Sequence, residues 1–280
     1  MNETLKRAIS GSIYIILLLF CIYYSVFTYF TLFCFFLIVA IFEFSSLLKI
    51  NKILPIVLAF LMFFGYSYIL MTNTAVSRTY EIVFLLITLY VSVRAIFFLF
   101  NDLKTELSIF NKVDFLIGYI IFPFFILAKI PFGENNQYNP KIITGIFIII
   151  WTNDTFAYIV GKSIGKNKLL ERISPKKTIE GFIGGVIFAI IAGLLISKYF
   201  IQPVENFKNK SALIWMITAL LIGVFGTIGD LIESKFKRIA GVKDSGKIMP
   251  GHGGILDRLD SVIFVAPFIY LFYQILYYVS

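Results

Sequence analysis

The residues with the greatest chemical potential are concentrated in one stretch, residues 229–261, which reads GDLIESKFKRIAGVKDSGKIMPGHGGILDRLDS. It holds five of the chain's sixteen Asp and Glu residues, six of its twenty-five Lys and Arg residues, and its only histidine. Long apolar runs flank it on both sides. Because only 15% of the residues are charged, a simple connection between two apolar segments does not account for so many opposite charges. The stretch is therefore predicted to carry chemistry.

The first part of this stretch is predicted to be a helix with one polar face. Asp230, Glu233, Ser234 and Lys237 fall at positions i, i+3, i+4 and i+7, which lie on the same side of a helix. The segment that follows, AGVKDSGKIMPGHGGI, contains several glycines and a proline, so it cannot continue the helix. It is predicted to be an irregular loop that lets a ligand approach the backbone closely.

A second helix is predicted to start at Asp257 and Asp260, which lie at i and i+3 and lead into the last apolar run. A helix start favours anions. The carboxylates suit a hard cation with oxygen ligands, and we predict magnesium. Carboxylates for a metal, basic residues for phosphates and a flexible loop together indicate a phosphoryl- or nucleotidyl-transfer site.

The run SKFKRIAGVKDSGKIMPGHGGILDRLD, residues 234–260, resembles the signature of the CDP-diacylglycerol synthases, also called phosphatidate cytidylyltransferases. Its serine, KR, KD, PGHGG and DRxD elements match in order and spacing. Two further elements are similar to that family, DTxAYxxGxxxG from Asp154 and SPKKTxEG from Ser174. The resemblance implies a polytopic enzyme that joins CTP to phosphatidate with magnesium, giving CDP-diacylglycerol and pyrophosphate.

The resemblance also implies a set of site residues. The catalytic residues would be Asp230, Ser234, Lys237, Asp257 and Asp260. The substrate-binding residues would be Asp154, Lys176, Lys177, Arg238, Lys243, His252 and Arg258. The metal ligands would be Asp230, Asp257 and Asp260, with Asp244 as an alternative to Asp260.

Two basic residues and the histidine are given separate roles. Lys237 shares the face of Asp230, so we expect it to bind a phosphate. Arg238 is about 100° further around the helix, and we expect it to reach the lipid headgroup or a carboxylate. His252 is expected to bind phosphate or to shape the PGHGG turn. A general base remains the alternative, although the phosphate of phosphatidate is already ionised near neutral pH.

The elements that position these residues are predicted to be membrane-spanning helices. The chain is 59% hydrophobic with a mean hydropathy of +0.89 over 280 residues, which excludes an ordinary soluble protein. We predict an all-α polytopic integral membrane protein with about nine transmembrane helices. Two spans fill residues 11–48 with a turn near 24–28, and seven others are predicted at 53–71, 81–100, 113–131, 141–160, 181–200, 211–229 and 260–279.

The chain is predicted to divide by chemistry. Residues 1–140 would form lipid-facing scaffold helices, and residues 141–280 a catalytic region with cytoplasmic loops 161–180 and 230–259. Eighteen of the twenty-five Lys and Arg residues fall in segments on the side of the amino terminus. Positive charge accumulates on the cytoplasmic side, so the amino terminus and the active site are predicted to be cytoplasmic, at the cell membrane if the source is a prokaryote.

The predicted partners are CTP, phosphatidate and membrane lipid, and no nucleic acid, because no basic face exists outside short loops. Whether a second, monovalent cation joins the magnesium and whether the protein is a homodimer stay open. One alternative is a related cytidylyltransferase acting on another lipid phosphate. A more distant alternative is a secondary transporter, which carboxylates at the membrane midplane would favour, whereas these charges cluster on one side.

Two charged residues lie within the predicted spans of the first half of the chain. Glu43 is expected to have a structural or interfacial role, lying about one turn from the membrane surface and within reach of headgroups. Arg94 is expected to extend its side chain to the same surface. Neither residue is predicted to take part in chemistry.

Overall fold

The structure is a computed structural model that describes residues 3–72, 78–103, 107–133, 136–201 and 210–279. Within these ranges, nine helices are long and apolar enough to cross a membrane. The all-α class and the number of predicted spans are thereby confirmed. The cytoplasmic position of the amino terminus stays a prediction.

The nine helices follow one another with short connections. In chain order they are α1 (Glu3–Tyr24), α2 (Val26–Leu48), α3 (Ile53–Met71), α4 (Arg78–Phe100), α5 (Ile109–Phe132), α6 (Pro140–Ile164), α7 (Ile179–Leu195), α8 (Ser211–Ile239) and α9 (Leu256–Val279). Helix α5 changes from α-helical to π-helical geometry over Leu116–Ile121 and ends in a 3-10 turn, Ile130–Phe132. Helix α7 continues into a π-helical turn, Ile196–Phe200.

The first two helices form a hairpin around Ser25, within the predicted turn. The Ser25 hydroxyl accepts a hydrogen bond from the Thr28 backbone N–H, and the Thr28 hydroxyl accepts one from the Ser25 N–H, each at 3.1 Å. This reciprocal cap satisfies donors that a helix start leaves unpaired. Tyr14 of α1 then packs against Phe36 of α2, with ring centroids 6.1 Å apart.

An aromatic cluster lies beneath the charged end of α8. The ring of Phe236 lies 4.9 Å from that of Phe44 in α2, 5.0 Å from that of Phe98 in α4 and 5.2 Å from that of Phe115 in α5. Pairs at such distances add about 0.5–1.5 kcal/mol each beyond the burial of their surface. Helices from both halves of the chain therefore fix the position of the polar face of α8.

Close helix approach in the second half depends on glycine. A side chain at Gly185 of α7 would place its Cβ 2.8 Å from the backbone oxygen of Asn153 in α6. A Cβ at Gly229 of α8 would lie 2.5 Å from the Cβ of Phe264 in α9. Only the absence of a side chain lets these helices pack so tightly.

The predicted basic loop 161–180 contains a small hairpin. Strand β1 (Lys168–Leu170) pairs antiparallel with β2 (Ser174–Thr178). The carboxylate of Glu180 holds its base by accepting hydrogen bonds from the Asn167 side chain at 2.8 Å and the Lys166 N–H at 3.1 Å. No strands were predicted here, because they are too short for an alternating pattern to be visible.

Arg94 connects two helices. Its guanidinium forms an ion pair with Asp114 of α5 and donates to the Asn111 side chain at 2.7 Å. This pairing joins α4 to the start of α5, and the extension of the side chain to the membrane surface stays a prediction.

Candidate active site in a charged cavity

A cavity of about 660 Å³ opens between helices α6, α7, α8, α9 and the β-hairpin. Its wall combines both signs of charge. The carboxylates on it belong to Asp154, Asp230, Asp257 and Asp260. The basic side chains belong to Lys162, Lys168, Lys176, Lys177 and Arg258. Tertiary packing therefore brings the three sequence elements, which begin at residues 154, 174 and 234, to one place.

Asp230 is held at the centre of this wall by two partners. Its Oδ2 lies 2.6 Å from the Nζ of Lys177, which the hairpin carries into the cavity. Its Oδ1 accepts a hydrogen bond of 3.3 Å from the hydroxyl of Ser234, one turn later on α8. The predicted helical face thus exists, and its exposed end faces the cavity.

Asp257 of α9 holds the preceding glycine-rich loop, residues 240–255, through hydrogen bonds. Its Oδ2 accepts hydrogen bonds from the backbone N–H of Ser245 at 2.9 Å, from the Ser245 hydroxyl at 2.9 Å and from the N–H of Gly254 at 2.7 Å. Its Oδ1 lies 2.5 Å from the Nζ of Lys237. One carboxylate therefore closes the loop and also forms part of the cavity wall.

Lys237 is placed differently from the sequence-based expectation. It is buried between α8 and α9, where its ammonium pairs with Glu233, one turn earlier, and with Asp257. It is absent from the cavity wall, which Lys177 reaches instead. Because Glu233 is 0% exposed and a buried carboxylate needs a counter-charge, Lys237 is committed to this ion pair.

Arg238 and Lys243 of the signature also lie away from the cavity. Arg238 donates to the backbone oxygens of Ile173 at 3.4 Å and Val242 at 3.0 Å. Lys243 and Asp244 are exposed on the loop. Of the predicted residues, the cavity wall contains Asp154, Lys176, Lys177, Asp230, Asp257, Arg258 and Asp260. It does not contain Ser234, Lys237, Arg238, Lys243, Asp244 or His252.

His252 shapes the PGHGG turn, one of its two predicted roles. Its Nδ1 lies 2.7 Å from the hydroxyl of Ser10 in α1, and its backbone oxygen accepts from Arg258 at 3.2 Å. Burial, followed by the positive charges of Arg258 and Arg7, lowers the pKa of His252 below its ordinary value. The neutral ring can therefore accept the Ser10 proton. The turn also needs Gly253, whose φ of +86° is unfavourable for residues with a side chain.

Sequence reasoning missed several residues on or behind the cavity wall. The cavity wall is also lined by Asn153, Lys162, Lys168 and Thr227. Among the described residues, the buried Oδ1 of Asn153 has no hydrogen-bond partner. The signal for Asn153 was its position directly before Asp154 in a membrane span. No local pattern distinguished Lys162 or Lys168 from other basic residues of the loop.

Glu43 has a structural role, one of the two roles expected for it, and it does not reach lipid headgroups. The residue is 3% exposed and accepts hydrogen bonds from the Ser245 hydroxyl at 3.0 Å and from the backbone N–H groups of Ile255 at 3.2 Å and Leu256 at 2.9 Å. A carboxylate inside a span was the signal that it needs partners. The sequence could not identify them, because Ser245 is 202 positions away.

The carboxylates of the cavity fit a metal only together with a ligand. Among the residues that the structure describes, no three His, Cys, Asp or Glu side chains are grouped closely enough to hold a metal ion. Magnesium is commonly bound by one or two carboxylates together with substrate phosphates and water, without a cage made only of protein. The oxygen donors of Asp230 and Asp260 are chemically suited to such a shared site.

The fold and the cavity define a polytopic membrane protein whose charged cavity is suited to phosphate-bearing ligands. Residues 5–276 match the model of the Cytidylyltransferase family, and the chain belongs to this family. The predicted resemblance is thereby confirmed.

Curated relatives with similar sequences come from bacteria. The chain is 47% identical over 135 residues to a phosphatidate cytidylyltransferase of Bacillus subtilis (strain 168), covering 48% of each chain. It is 48% identical over 136 residues to one of Staphylococcus aureus (strain COL), covering 49% of this chain and 50% of the relative. It is 46% identical over 138 residues to a phosphatidate cytidylyltransferase of Staphylococcus epidermidis (strain ATCC 12228 / FDA PCI 1200), covering 49% of this chain and 50% of the relative. The chain thus spans about half the length of the curated relatives it matches.

Proposed function

We propose that the protein transfers a cytidylyl group from CTP to phosphatidate, giving CDP-diacylglycerol and pyrophosphate. The single observation that carries this proposal is the mixed wall of the cavity, which is lined by five basic side chains and four carboxylates. Basic residues suit the phosphates of both substrates, and carboxylates suit the metal that accompanies a nucleoside triphosphate. Family membership and the relatives' names support the same reaction.

In this reaction an oxygen of the phosphatidate phosphate attacks the α-phosphorus of CTP. A new P–O bond forms, the bond from the α-phosphorus to the oxygen shared with the β-phosphate breaks, and pyrophosphate leaves with that electron pair. The nucleophile is already an anion, so no side chain has to remove a proton. This supports a structural role for His252 over that of a general base.

The basic residues of the cavity would bind the phosphates, and its carboxylates would bind the metal or hold the loop. Lys177 and Lys176, on the hairpin, and Arg258, on α9, would bind phosphate oxygens and neutralise the charge that develops in the transition state. Asp230 and Asp260 would hold the metal, and Asp257 would keep the loop closed while lying beside them. When bound, magnesium would lower the repulsion between the phosphates of the two substrates.

The cavity is proposed to face the cytoplasm, where CTP is available. The support is the concentration of Lys and Arg in loops 161–180 and 230–259, both of which belong to the same end of the bundle. For a bacterial source, this places the protein in the cell membrane.

The test is a transfer assay with purified protein, radiolabelled CTP and phosphatidate, with and without magnesium. Labelled CDP-diacylglycerol should form only when magnesium is present. Asp230→Asn should abolish it, whereas the matched control Asp244→Asn should not, because Asp244 is exposed outside the cavity.

A parallel assay with an isoprenoid phosphate decides between lipid substrates. Preference for that lipid would assign the chain to a related cytidylyltransferase. Lipid or solute movement without CTP consumption would contradict the proposed reaction altogether and favour a transporter.

A further inference from the structure

One buried carboxylate from the first half of the chain lies directly behind the cavity. Glu43 of α2 is not part of the cavity wall, yet its two oxygens together receive three hydrogen bonds from the loop and the start of α9. One donor is Ser245, within the glycine-rich loop of residues 240–255. The other two are the backbone N–H groups of Ile255 and Leu256, where this loop ends and α9 begins.

The backbone geometry explains why a carboxylate is needed here. The first N–H groups of a helix have no acceptor within the helix, and Ile255 and Leu256 at the start of α9 are buried. Glu43 accepts from the N–H groups of Ile255 and Leu256, and its negative charge is favourable at the start of a helix. A different helix therefore provides the cap of α9.

The same carboxylate is linked to Asp257 through a shared hydroxyl. The Oγ of Ser245 lies 3.0 Å from Glu43 Oε2 and 2.9 Å from Asp257 Oδ2. The loop backbone closes tightly over Glu43, since a Cβ at Gly246 would lie 2.2 Å from its Oε1 and one at Gly254 2.3 Å from its Oε2. Displacing Glu43 would therefore displace Asp257 in the first turn of α9 and, with it, Asp260 at the start of the next turn.

We propose that Glu43 is a positioning residue for the start of α9, which carries the loop-closing carboxylate of Asp257 and the metal-binding carboxylate of Asp260. It touches neither substrate nor metal. It fixes the first turn of α9 and the loop, so that Asp257 and Asp260 face the cavity in one arrangement. This inference rests on the proposed function, because the metal is assigned to Asp230 and Asp260 there.

The experiment compares Glu43→Gln and Glu43→Asp with the control Glu81→Gln. Glu81, near the start of α4, is also a largely buried carboxylate. It pairs with Lys129 at 3.2 Å and accepts a hydrogen bond of 2.6 Å from Tyr270, which lies far along α9 from Asp257. Glutamine keeps the size of Glu43 but replaces one acceptor oxygen with a donor, while aspartate keeps the charge. We measure kcat, the KM for phosphatidate, the half-saturating magnesium concentration, and amide hydrogen exchange over residues 243–258.

Glu43→Gln should lower kcat by about 10- to 100-fold, the usual effect of removing a partner of a metal ligand. It should also raise the half-saturating magnesium concentration and leave the KM for phosphatidate close to that of the wild type. Amide hydrogen exchange should accelerate at residues 243–258 and stay unchanged in α8. Glu43→Asp should be less impaired than Glu43→Gln, and Glu81→Gln should keep the wild-type magnesium dependence.

Two results would overturn the inference. Unchanged exchange in Glu43→Gln would show that Glu43 does not hold the loop. Faster exchange with an unchanged magnesium requirement would show that it holds the loop without positioning the metal ligands. If Glu43→Gln does not fold, the magnesium requirement of Glu43→Asp decides. A wild-type protein that transfers no cytidylyl group would instead contradict the proposed function, and the exchange measurement would still decide whether Glu43 holds the loop.

Discussion

Replacing Lys237 by methionine should destabilise the fold severely, although the sequence alone suggested a defect in CTP binding. The ammonium of Lys237 is the countercharge for Glu233 and Asp257. Without it, Asp257 keeps the donors from Ser245 and Gly254. Glu233 keeps no partner, because among the described residues no donor other than Lys237 contacts its oxygens and the residue is 0% exposed.

The expected loss of stability follows from the stranded charge. Removing one partner of a buried ion pair typically costs about 3–5 kcal/mol. Lys235→Met is the matched control variant. Lys235 is buried like Lys237, but in the described part of the chain its ammonium donates to the backbone oxygens of Phe98 and Asn101 and pairs with no carboxylate. It leaves no carboxylate unpaired, so we expect a smaller cost of about 1–3 kcal/mol. Adding Glu233→Gln to Lys237→Met should recover part of the stability.

The assay is unfolding in mixed micelles with increasing SDS, followed by the fluorescence of Trp151 and Trp215, which report on α6 and α8. The wild type should be the most stable, followed by Lys235→Met, and Lys237→Met should be the least stable. The double variant Lys237→Met with Glu233→Gln should be more stable than Lys237→Met alone. If Lys237→Met is as stable as the wild type and instead raises the KM for CTP sharply, then Lys237 binds phosphate and the ion-pair reasoning is refuted.

Four other outcomes are expected. Lys177→Met should lower kcat/KM for CTP by about 10- to 100-fold through loss of a charged hydrogen bond, with Lys177→Arg partly active; equal activity of both variants would contradict this. Asp230→Asn should lower turnover at least about 100-fold while the protein remains folded, and near-normal turnover at low magnesium would exclude it as a ligand. The lowered pKa of His252 means that the unfolded state binds more protons just below pH 6.5, so the free energy of unfolding should fall as the pH drops through this window; His252→Asn should flatten that dependence, and an unchanged slope would count against it. Single cysteines replacing the exposed Lys247 and Gln137 should be labelled from opposite sides of the membrane, and labelling from the same side would exclude the predicted topology. Lys247 is chosen over its neighbour Gly246 because a side chain at 246 would meet the buried carboxylate of Glu43; Asn206, in the loop predicted to share the side of Gln137, lies outside the described residues.

The sequence by itself determined the helices and the contacts within one helix. Apolar runs of about 20 residues have to cross the membrane as helices, because lipid offers no partner for backbone polar groups. The bond between Ser234 and Asp230 and the ion pair between Lys237 and Glu233 likewise follow from the i, i+4 spacing. Helical geometry alone dictates such features, so they can be predicted from spacing.

Only the tertiary structure decided which of these charges faces the cavity. Lys177 and Lys237 are both basic residues of sequence motifs, but the hairpin carries Lys177 to Asp230 while packing of α8 against α9 buries Lys237. Glu43 meets Ser245 across 202 positions of the chain. These contacts depend on how whole helices pack against one another, and periodicity within a segment carries no information about the neighbours that its faces will meet.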